Sequence, residues 1–529
     1  MKGSDTAATD DPLNDLLTGE REKFLFRRQF LLGPEFADSF PSWKRVSLRD
    51  DLRLTVHPDL RVTRARDEAR SVTLLGYALD SSDPDATDAA IVAGLLEILA
   101  SGGDVSELIR SSDRLGGRWV VIADDGSDVV LFHDALGLRQ VFFTSPEYFS
   151  PMWCASQPSL LAEVLRLSPG ETETAYMRSD VYREDAEAVW PGDTCAFREV
   201  RHLLPNHRLS IRTGTCSRYW PEGSIGSADL EDAVDRVCRM LTALIEGASR
   251  RFPLALASTA GWDTRLILAA SRAVAGGMWC YTLLRPENRA DVTGTPRLLS
   301  RVGLPHRMIP FPERMHPKFE ELYKRSVTEA HEFWGRMAQA LLVSYPPASV
   351  SVTGNAAEVT RQYFELPTDR EVTPRDLASL TSSMAPDPER LEDDPYVVGV
   401  WEKWLAGIDD LHGVRLSDLF YWEHRGGNFA AMGESEWDIV QEAFTPVDCR
   451  LLLTTMLSVD ESEREYGDPR LYRIAIRRLW PELLKEPINE PYEGPLTGLF
   501  RIARGLQLNR MLPRRLRERA RRLLQSDAN

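Results

Sequence analysis

Residues 254–270, L-A-L-A-S-T-A-G-W-D-T-R-L-I-L-A-A, decide the fold of this chain. The stretch opens as a short apolar run, continues through small and hydroxyl residues, and becomes periodically apolar from Leu266. This order is typical of a buried strand, a tight turn and a helix start. Small residues let backbone amides approach an anion, and a helix beginning near Asp263 adds the positive end of its dipole. The stretch therefore predicts a phosphate site, at which Asp263 is best explained as a metal ligand.

A plainer interpretation is a strand, turn and helix capped by Thr259 and Asp263. Against it, residues 259–264, T-A-G-W-D-T, resemble the S-G-G-x-D-S pyrophosphate loop of the asparagine synthetase superfamily, with Thr for each Ser and Ala for the first Gly. In that family the loop grips the β- and γ-phosphates of ATP while a carboxylate is adenylated. The nucleotide-binding residues that the resemblance implies are Ser258, Thr259, Ala260, Gly261, Trp262, Asp263, Thr264, Thr282 and Gly354.

The composition bounds the class of protein. The 529 residues are enough for more than one core, and the 43% hydrophobic and 27% charged content is ordinary for a soluble globular protein. A net charge of −16 argues against a general nucleic-acid binder. No apolar run approaches the length of a membrane span, and the first residues do not resemble a signal peptide. We expect a cytoplasmic protein with no membrane span.

Metal and nucleotide motifs of other kinds are missing. The six cysteines stand singly without a C-x-x-C pair, which favours buried thiols over a zinc site or a disulfide framework. The sequence contains neither a Walker-type G-x-x-x-x-G-K-[ST] nor a G-x-G-x-x-G after a strand.

Short strand-like runs separated by turns dominate residues 24–219. Residues 72–78 form a continuous apolar run, and residues 118–123 with 129–133 predict a hairpin. Helical periodicity appears at residues 88–99. The mixture predicts an α+β sandwich.

A second resemblance lies in this region. Residues 115–123 and 133–143 resemble the family's G-x-F/W-a-l-v-i and D-x-x-G-x-R-x-l-y-Y segments, and residues 203–207 fall where the family has L-x-P-G-H. These segments belong to the glutamine amidotransferase domain that precedes the synthetase domain. The resemblance implies an amidotransferase-like α+β sandwich over residues 23–222.

The N-terminus departs from the family pattern. A working glutaminase of this kind carries cysteine as its processed first residue, whose own amine is the base. This chain reads Met1-Lys2-Gly3 and has no cysteine before Cys154. We therefore expect no glutaminase activity, and a role for this domain as a scaffold or a substrate-recognition surface. Family members with the same loss, β-lactam synthetase and the lasso peptide cyclases, use an amine supplied by the substrate.

After residue 221 the pattern changes to longer helices that alternate with strands. A helix at residues 230–250 precedes a strand at Leu254–Ala257, strands follow at residues 279–283 and 306–310, and a helix is predicted at residues 295–302. The alternation predicts βαβ units and a parallel sheet with ligands at the carboxyl ends of the strands. The resemblance of residues 259–264 to the asparagine synthetase superfamily implies that this region, residues 223–495, is an α/β ATP-pyrophosphatase synthetase domain (adenine nucleotide α-hydrolase-like).

Residues 350–364, V-S-V-T-G-N-A-A-E-V-T-R-Q-Y-F, again predict a strand, a tight turn and a helix. They resemble the family's G-x-G-x-D-E-x-x-x-G-Y stretch, in which Glu358 takes the place of the acidic pair. The resemblance implies that Glu358 is catalytic and that Mg²⁺ bridges Asp263, Glu358 and the pyrophosphate of ATP. A plainer alternative is an amphipathic helix with a solvated pair between Glu358 and Arg361.

Three further residues are candidates for catalysis. Tyr421 and Glu423 lie where the family has its R-x-D helix, and they are either acid–base groups or interior hydrogen-bonding partners. The family's C-terminal lysine, which stabilises charge on the α-phosphate, has its nearest counterpart in Lys485, slightly early in the chain. Two alternatives stay open: Arg361 or Arg265 takes the role of this lysine, or adenylation is impaired.

The resemblance thus implies a ligase that adenylates a carboxylate with ATP, releases pyrophosphate and transfers the acyl group to an amine. The expected partners are a small-molecule or peptide carboxylate and an amine, with no nucleic acid, and a homodimer is compatible with them. Asparagine formation from aspartate and ammonia is one alternative, and a non-catalytic nucleotide-binding or scaffold protein is another.

The two ends of the chain differ in composition from the residues between them. Residues 1–22 predict a disordered polar tail. The arginine-rich residues 496–529 predict a basic helix that docks on the protein's own acidic surface, on an acidic partner or on membrane headgroups.

Overall fold

The computed structural model describes residues 21–490, except residues 186, 286, 287, 311, 329, 330, 383, 384 and 386. The tail predicted at residues 1–22, apart from its last two residues, and the basic helix predicted at residues 496–529 lie outside the described residues. Across the described part of the chain, no helix has both the length and the apolar character that a membrane crossing requires.

Two six-stranded antiparallel sheets form the first half of the described chain. Their strands are β1 Phe30–Gly33, β2 Lys44–Arg49, β3 Leu52–Val56, β4 Val62–Arg66, β5 Ser71–Asp80, β6 Leu115–Asp124, β7 Val129–His133, β8 Phe142–Thr144, β9 Cys154–Ala155, β10 Val200–His202, β11 His207–Ser210 and β12 Cys216–Arg218. The first sheet has the order β10–β8–β9–β1–β3–β2 and the second β12–β11–β7–β6–β5–β4. The predicted hairpin is confirmed as β6–β7, whose register pairs Asp124 with Val129.

The helices of the described residues are α1 Arg21–Phe24, α2 Asp88–Ala100, α3 Val105–Ser112, α4 Pro158–Leu165, α5 Glu171–Arg178, α6 Asp180–Glu184, α7 Leu230–Arg251, α8 Trp262–Ala270, α9 Arg289–Arg301, α10 Pro317–Ser326, α11 Glu332–Ser344, α12 Pro374–Ala378, α13 Pro395–Ala406, α14 Leu416–Phe420, α15 Ala431–Trp437, α16 Arg450–Leu457 and α17 Arg470–Leu479. Short 3₁₀ turns occur at Ala275–Gly277, Ala357–Thr360, Pro388–Asp393, Glu461–Glu463 and Pro481–Lys485. Residues Tyr421–Ala430 form a π-helix.

Successive residues of the second sheet face two different cores. On β5, Leu75 packs with Leu32 of the first sheet, while the neighbouring Leu74 packs in the cluster under α2 and α3. Because both faces of this sheet are covered, β5 is buried throughout and reads as a continuous apolar run. The predicted sandwich with flanking helices is present.

A five-stranded parallel sheet lies in the second half of the described chain. Its strands are β13 Leu254–Ala257, β14 Trp279–Leu284, β15 His306–Pro310, β16 Val350–Val352 and β17 Glu442–Phe444, in the order β15–β14–β13–β16–β17. The predicted parallel sheet is confirmed. The strand order reverses between β13 and β16, and ligands of such sheets bind beyond the carboxyl ends of the strands at that point.

Helix α7 connects the sandwich to the parallel-sheet region. The Asp229 side chain caps it by accepting hydrogen bonds from the amides of Glu231 and Asp232. Its buried residues include Val234, Val237, Leu241, Leu244 and Ala248, the three-and-four spacing of one helix face. This face belongs to an apolar cluster that contains residues of both regions, so the core is continuous between them.

Buried ion pairs reinforce this junction. Arg118 of β6 is 1% exposed, and its Nη1 and Nη2 donate to Oδ1 and Oδ2 of Asp438 at 2.6 and 2.9 Å. Arg139 Nη2 donates to Glu442 Oε1 of β17 at 2.6 Å. Removing one partner of such a pair leaves an uncompensated buried charge and costs about 3–5 kcal/mol.

One predicted helix starts earlier than the sequence indicates. The helix predicted at residues 295–302 is α9, which begins at Arg289 and includes Pro296. Asn288 caps it by accepting a hydrogen bond from the amide of Asp291 at 3.3 Å.

The helix predicted after Gly354 is wrong, since only the single turn Ala357–Thr360 forms and Arg361 is extended. Side chains from other elements bind the carbonyls that a longer helix would use. The Tyr472 hydroxyl donates to the Ala357 carbonyl at 2.8 Å, and Arg464 Nη1 donates to the Thr360 carbonyl at 3.3 Å.

Candidate functional site

A cavity of about 340 Å³ lies at the carboxyl ends of β13, β14 and β16. Residues that end or follow these strands line it, among them Ser258 and Thr259 after β13, Thr282 in β14 and Gly354 after β16. The opposite wall comes from α11, the π-helix and α15. The cavity therefore occupies the position where the strand order reverses.

The turn after β13 leads directly into α8, as the sequence predicts. Gly261 precedes this nine-residue helix in an extended conformation, and no side chain caps the helix start. The hydroxyls of Thr259 and Thr264 lie 2.8 Å apart beside it. Uncapped amides at a helix N-terminus attract an anion, so the geometry fits a phosphate group.

Gly354 allows the turn after β16 to lie against α8. A Cβ atom at this position would lie 2.9 Å from the Thr264 amide nitrogen and 3.0 Å from the Asp263 carbonyl carbon. Both contacts are shorter than ordinary van der Waals separation. The absence of a side chain here brings the turn that carries Glu358 close to the turn that carries Asp263.

Arg361 connects the two predicted metal ligands. Its Nη2 lies 2.8 Å from Asp263 Oδ2 and 3.7 Å from Glu358 Oε1. Arg361 is 5% exposed, so the pair with Glu358 is not the solvated helix pair of the plainer interpretation. Burial, and after it the Glu358 carboxylate, raise the pKa of Asp263, while Arg361 opposes them.

The carboxylate oxygens of Asp263 and Glu358 are of the kind that fit a magnesium ion. Asp263 Oδ1 is buried and accepts no hydrogen bond, and Glu358 Oε2 accepts one from the Tyr421 hydroxyl at 3.2 Å. Magnesium is commonly held by one or two carboxylates plus phosphate oxygens and water. Within the described ranges, no three His, Cys, Asp or Glu side chains cluster as a metal site.

The π-helix separates the two predicted acid–base residues. Tyr421, Arg425 and Phe429 follow one another at intervals of four residues, and all three line the cavity. Glu423 lies two residues after Tyr421, and positions two apart on a helix do not share a face. The structure therefore brings Tyr421 to the cavity and does not bring Glu423 there.

Glu423 instead joins the two halves of the protein. It is fully buried, accepts hydrogen bonds from Asn206 Nδ2 at 3.0 Å and from Trp404 Nε1 at 2.8 Å, and pairs with Arg218. These contacts correspond to the interior hydrogen-bonding alternative.

Lys485 and Arg265 also lie away from the cavity lining. Lys485 is exposed at the end of its 3₁₀ turn. Arg265 is 1% exposed, and its guanidinium donates at 2.7–3.1 Å to the carbonyls of Ala260, Leu483, Glu486 and Pro487. It ties residues 483–487 to the loop after β13 and has no place for a phosphate.

Two more predicted residues act within the scaffold of the site. Thr282 Oγ1 donates to the Ser258 carbonyl at 2.6 Å, which joins the ends of β13 and β14. The Trp262 indole N–H donates to the Gly467 carbonyl at 3.0 Å, and its side chain does not line the cavity.

Two cationic residues of the cavity, Arg285 and Arg425, carry no motif signal. Arg285 directly follows β14, so its place after a central parallel strand was a usable clue. Arg425 lies four residues after Tyr421, the spacing of one helix face. Its guanidinium lies 4.6 Å from the Tyr363 ring and 4.5 Å from the Phe429 ring, and it pairs with Glu187 of the sandwich side at 2.6 Å.

No family model matches the chain, and no curated protein matches it. Among solved structures, the chain is similar to an NH3-dependent NAD synthetase from Campylobacter jejuni subsp. jejuni NCTC 11168 in complex with a nitrate ion. The identity is 14% over 33% of this chain and 93% of that chain, with a TM-score of 0.20. It is also similar to a glutamine phosphoribosylpyrophosphate amidotransferase from B. subtilis complexed with ADP and GMP, at 9% identity over 63% of this chain and 72% of that chain, with a TM-score of 0.21. At these TM-scores neither likeness carries an argument about function, which rests on the site itself.

Proposed function

We propose that this protein is an ATP-dependent ligase that adenylates a carboxylate, releases pyrophosphate and transfers the acyl group to an amine. One observation carries the proposal: the uncapped start of α8 and the carboxylates of Asp263 and Glu358 face the same cavity. An anion site beside two carboxylates is repulsive unless a cation lies between them. A magnesium nucleotide supplies both the anion and the cation.

Each residue of the loop has a part in this proposal. Thr259, Ala260, Gly261 and Thr264 contact the phosphates, and Ser258 supports the turn. Asp263 and Glu358 hold Mg²⁺, which supplies positive charge opposite the departing pyrophosphate. Preorganised charge of this kind acts without reorganisation at the moment of reaction.

The opposite wall binds and positions the acyl group. Tyr421 donates to Glu358 at 3.2 Å and so fixes the carboxylate that faces the reacting groups. Trp334 and Phe429 line the same wall with their rings 5.1 Å apart, and they exclude water from the acyl-adenylate. Holding the amine beside the acyl carbon makes the second step effectively unimolecular.

The amine comes from the substrate and not from glutamine. Among the described cysteines of the sandwich, Cys154 and Cys195 are buried and Cys216 of β12 is exposed. Desolvation raises the pKa of the Cys154 thiol and that of the Cys216 thiol. A thiol that stays protonated is a poor nucleophile. Asparagine formation from aspartate and free ammonia is a narrower reaction of the same class.

A non-catalytic nucleotide-binding or scaffold protein is the second candidate, and one contact favours it. Arg361 already places a cation against Asp263 and near Glu358, which is the position a metal ion takes in the first proposal. If this guanidinium stays in place, the acids are neutralised without a metal.

Asp263→Asn separates the two candidates. The change keeps the size of the side chain and removes the charge that holds the ion, so calorimetry should show the affinity for Mg·ATP falling by about tenfold. Pyrophosphate release with a panel of carboxylates and amines should fall with it. The matched control is Asp393→Asn, an acid whose side chain is 82% exposed in an exposed ion pair. A wild-type protein that binds Mg·ATP but releases no pyrophosphate with any substrate supports the scaffold, and unchanged affinity in Asp263→Asn refutes the metal assignment.

A further inference from the structure

We infer that Arg285 is the cation that meets the phosphates of the nucleotide, and that Asp291 holds its guanidinium near the phosphate loop until the nucleotide displaces the Asp291 carboxylate. This inference rests on the proposed function and goes beyond it by naming a phosphate-binding residue that belongs to neither motif.

The Asp291 carboxylate occupies an anion position at the loop. Its Oδ1 accepts a hydrogen bond from the Ala260 amide at 2.8 Å, and its Oδ2 accepts one from Asn288 Nδ2 at 2.5 Å. Asp291 is 7% exposed and lines the cavity. A phosphate oxygen makes the same contact with a loop amide. The chain therefore shows that this amide binds an anionic oxygen in this geometry.

Arg285 lies next to this carboxylate, and its guanidinium carbon lies 5.7 Å from the centre of the Phe333 ring. Its Nη2 is 3.8 Å from Asp291 Oδ2, beyond hydrogen-bonding distance, and its side chain is 30% exposed. A partly exposed pair at this distance contributes little, since the median for exposed ion pairs is about 0–1 kcal/mol. The guanidinium can therefore turn from the carboxylate to a phosphate at small cost.

The other arginines near the cavity are committed elsewhere. Arg425 pairs with Glu187 and lies between two aromatic rings. Arg361 binds Asp263 and the Tyr466 carbonyl. Arg265 is used by four carbonyls. Among the described residues that line the cavity, Arg285 is thus the cation whose ion pair is longest and easiest to exchange.

The charges of the cavity explain why the exchange is needed. The lining contains three carboxylates, Asp263, Asp291 and Glu358, and two guanidinium groups, Arg285 and Arg425. A phosphate that replaces the Asp291 carboxylate at the Ala260 amide keeps this buried donor satisfied. The phosphate also binds the Arg285 guanidinium that the carboxylate releases. The phosphate thus replaces the Asp291 carboxylate at both the Ala260 amide and Arg285.

The test compares ligands that differ in their phosphates. Calorimetry with adenosine, AMP and ATP in the presence of magnesium should show Arg285→Ala losing about 10- to 100-fold in affinity for ATP, the worth of a charge-assisted hydrogen bond, with adenosine unaffected. Arg285→Lys should recover part of the loss. Arg289→Ala is the matched control, since Arg289 is an exposed arginine of α9 outside the cavity lining. Asp291→Asn should bind ATP more tightly than the wild type because the competing carboxylate is gone.

Each possible result of this test supports or overturns a specific part of the inference. Equal loss of adenosine and ATP in Arg285→Ala would show a general disturbance of the cavity and would overturn the inference. Unchanged ATP affinity in Arg285→Ala, with a loss in Lys485→Ala, would assign the phosphates to the lysine. Weaker or unchanged ATP binding in Asp291→Asn would overturn the displacement. A wild-type protein that binds no ATP would overturn the proposed function as well, whereas a failure confined to the Arg285 and Asp291 variants would leave that function standing.

Discussion

Gly354→Ala tests the closest approach in the site. The added Cβ would lie 2.9 Å from the Thr264 amide nitrogen and 3.0 Å from the carbonyl carbon and Cβ of Asp263. Ordinary contacts begin near 3.4 Å, so one of the two turns has to move by about half an ångström. These neighbours belong to the first turn of α8, whose position is fixed by a buried core, and they cannot rotate away as a flexible side chain would.

The magnitude follows from two opposing effects. Overpacking of this kind costs about 1–3 kcal/mol. Replacing glycine also lowers the entropy of the unfolded chain, which favours folding by about 0.4–1 kcal/mol. We expect a net decrease of about 1–2 kcal/mol in the free energy of unfolding. Because the displaced atoms belong to the turn that we propose binds phosphate, the affinity for Mg·ATP should fall in the same protein.

Gly399→Ala is the matched control. Gly399 lies within α13, and a Cβ atom built there has no atom within 4 Å. Alanine in a helix interior is about 0.5–1 kcal/mol more favourable than glycine, so this variant should be slightly more stable and bind ATP normally. Thermal denaturation and calorimetry on the three proteins measure both effects. A Gly354→Ala protein with the melting temperature and ATP affinity of the wild type would refute the contact between the two turns.

Three further predictions concern other groups. Glu358→Gln should abolish pyrophosphate release and leave the melting temperature nearly unchanged, because the substitution is nearly isosteric; full activity in this variant would remove Glu358 from the site. The wild-type protein should release no glutamate from glutamine, and a release that disappears in Cys154→Ala would contradict this. Burial raises the pKa of Glu434 from 4.5 to about 7, although Arg118 and Thr445 lower it. The folded state therefore binds this proton more tightly, and the stability gained is complete below pH 4.5 and lost as the pH rises towards 7. Between about pH 5 and about pH 8 the melting temperature of Glu434→Gln should thus fall less than that of the wild type, and parallel curves would refute the assignment.

The spacing of apolar residues was sufficient to predict those elements whose buried face can be read from their own sequence. Helix α7 follows from its three-and-four spacing and an Asp cap, and β5 from an apolar run covered on both faces. The turn after β16 could not be predicted in this way. Its carbonyls are bound by Tyr472 and Arg464, which lie 115 and 104 positions away from their acceptors, and no local pattern reports such partners.

The sequence predicted the parts of the candidate site that depend on the shape of a loop. It did not predict the parts that depend on the direction in which a side chain points. Small residues between a strand and a helix indicated the turn after β13, and the structure places most of its predicted residues around one cavity. Tyr421 and Glu423 are equally good acid–base candidates in the sequence, yet they point to different faces of a π-helix. Arg285 belongs to no motif, and its place directly after β14 was the one clue to its position in the cavity lining.

The charges buried between the sandwich and the parallel sheet limit which fragments of the protein can be expressed on their own. A fragment that begins after residue 222 would keep Asp438, Glu442 and Arg425 while losing Arg118, Arg139 and Glu187, their partners across the junction. Such a fragment would present unpaired ions and an uncovered apolar face to the solvent, and we expect it to aggregate on expression. We therefore expect the sandwich half of the chain to be needed for producing the half that contains the proposed site.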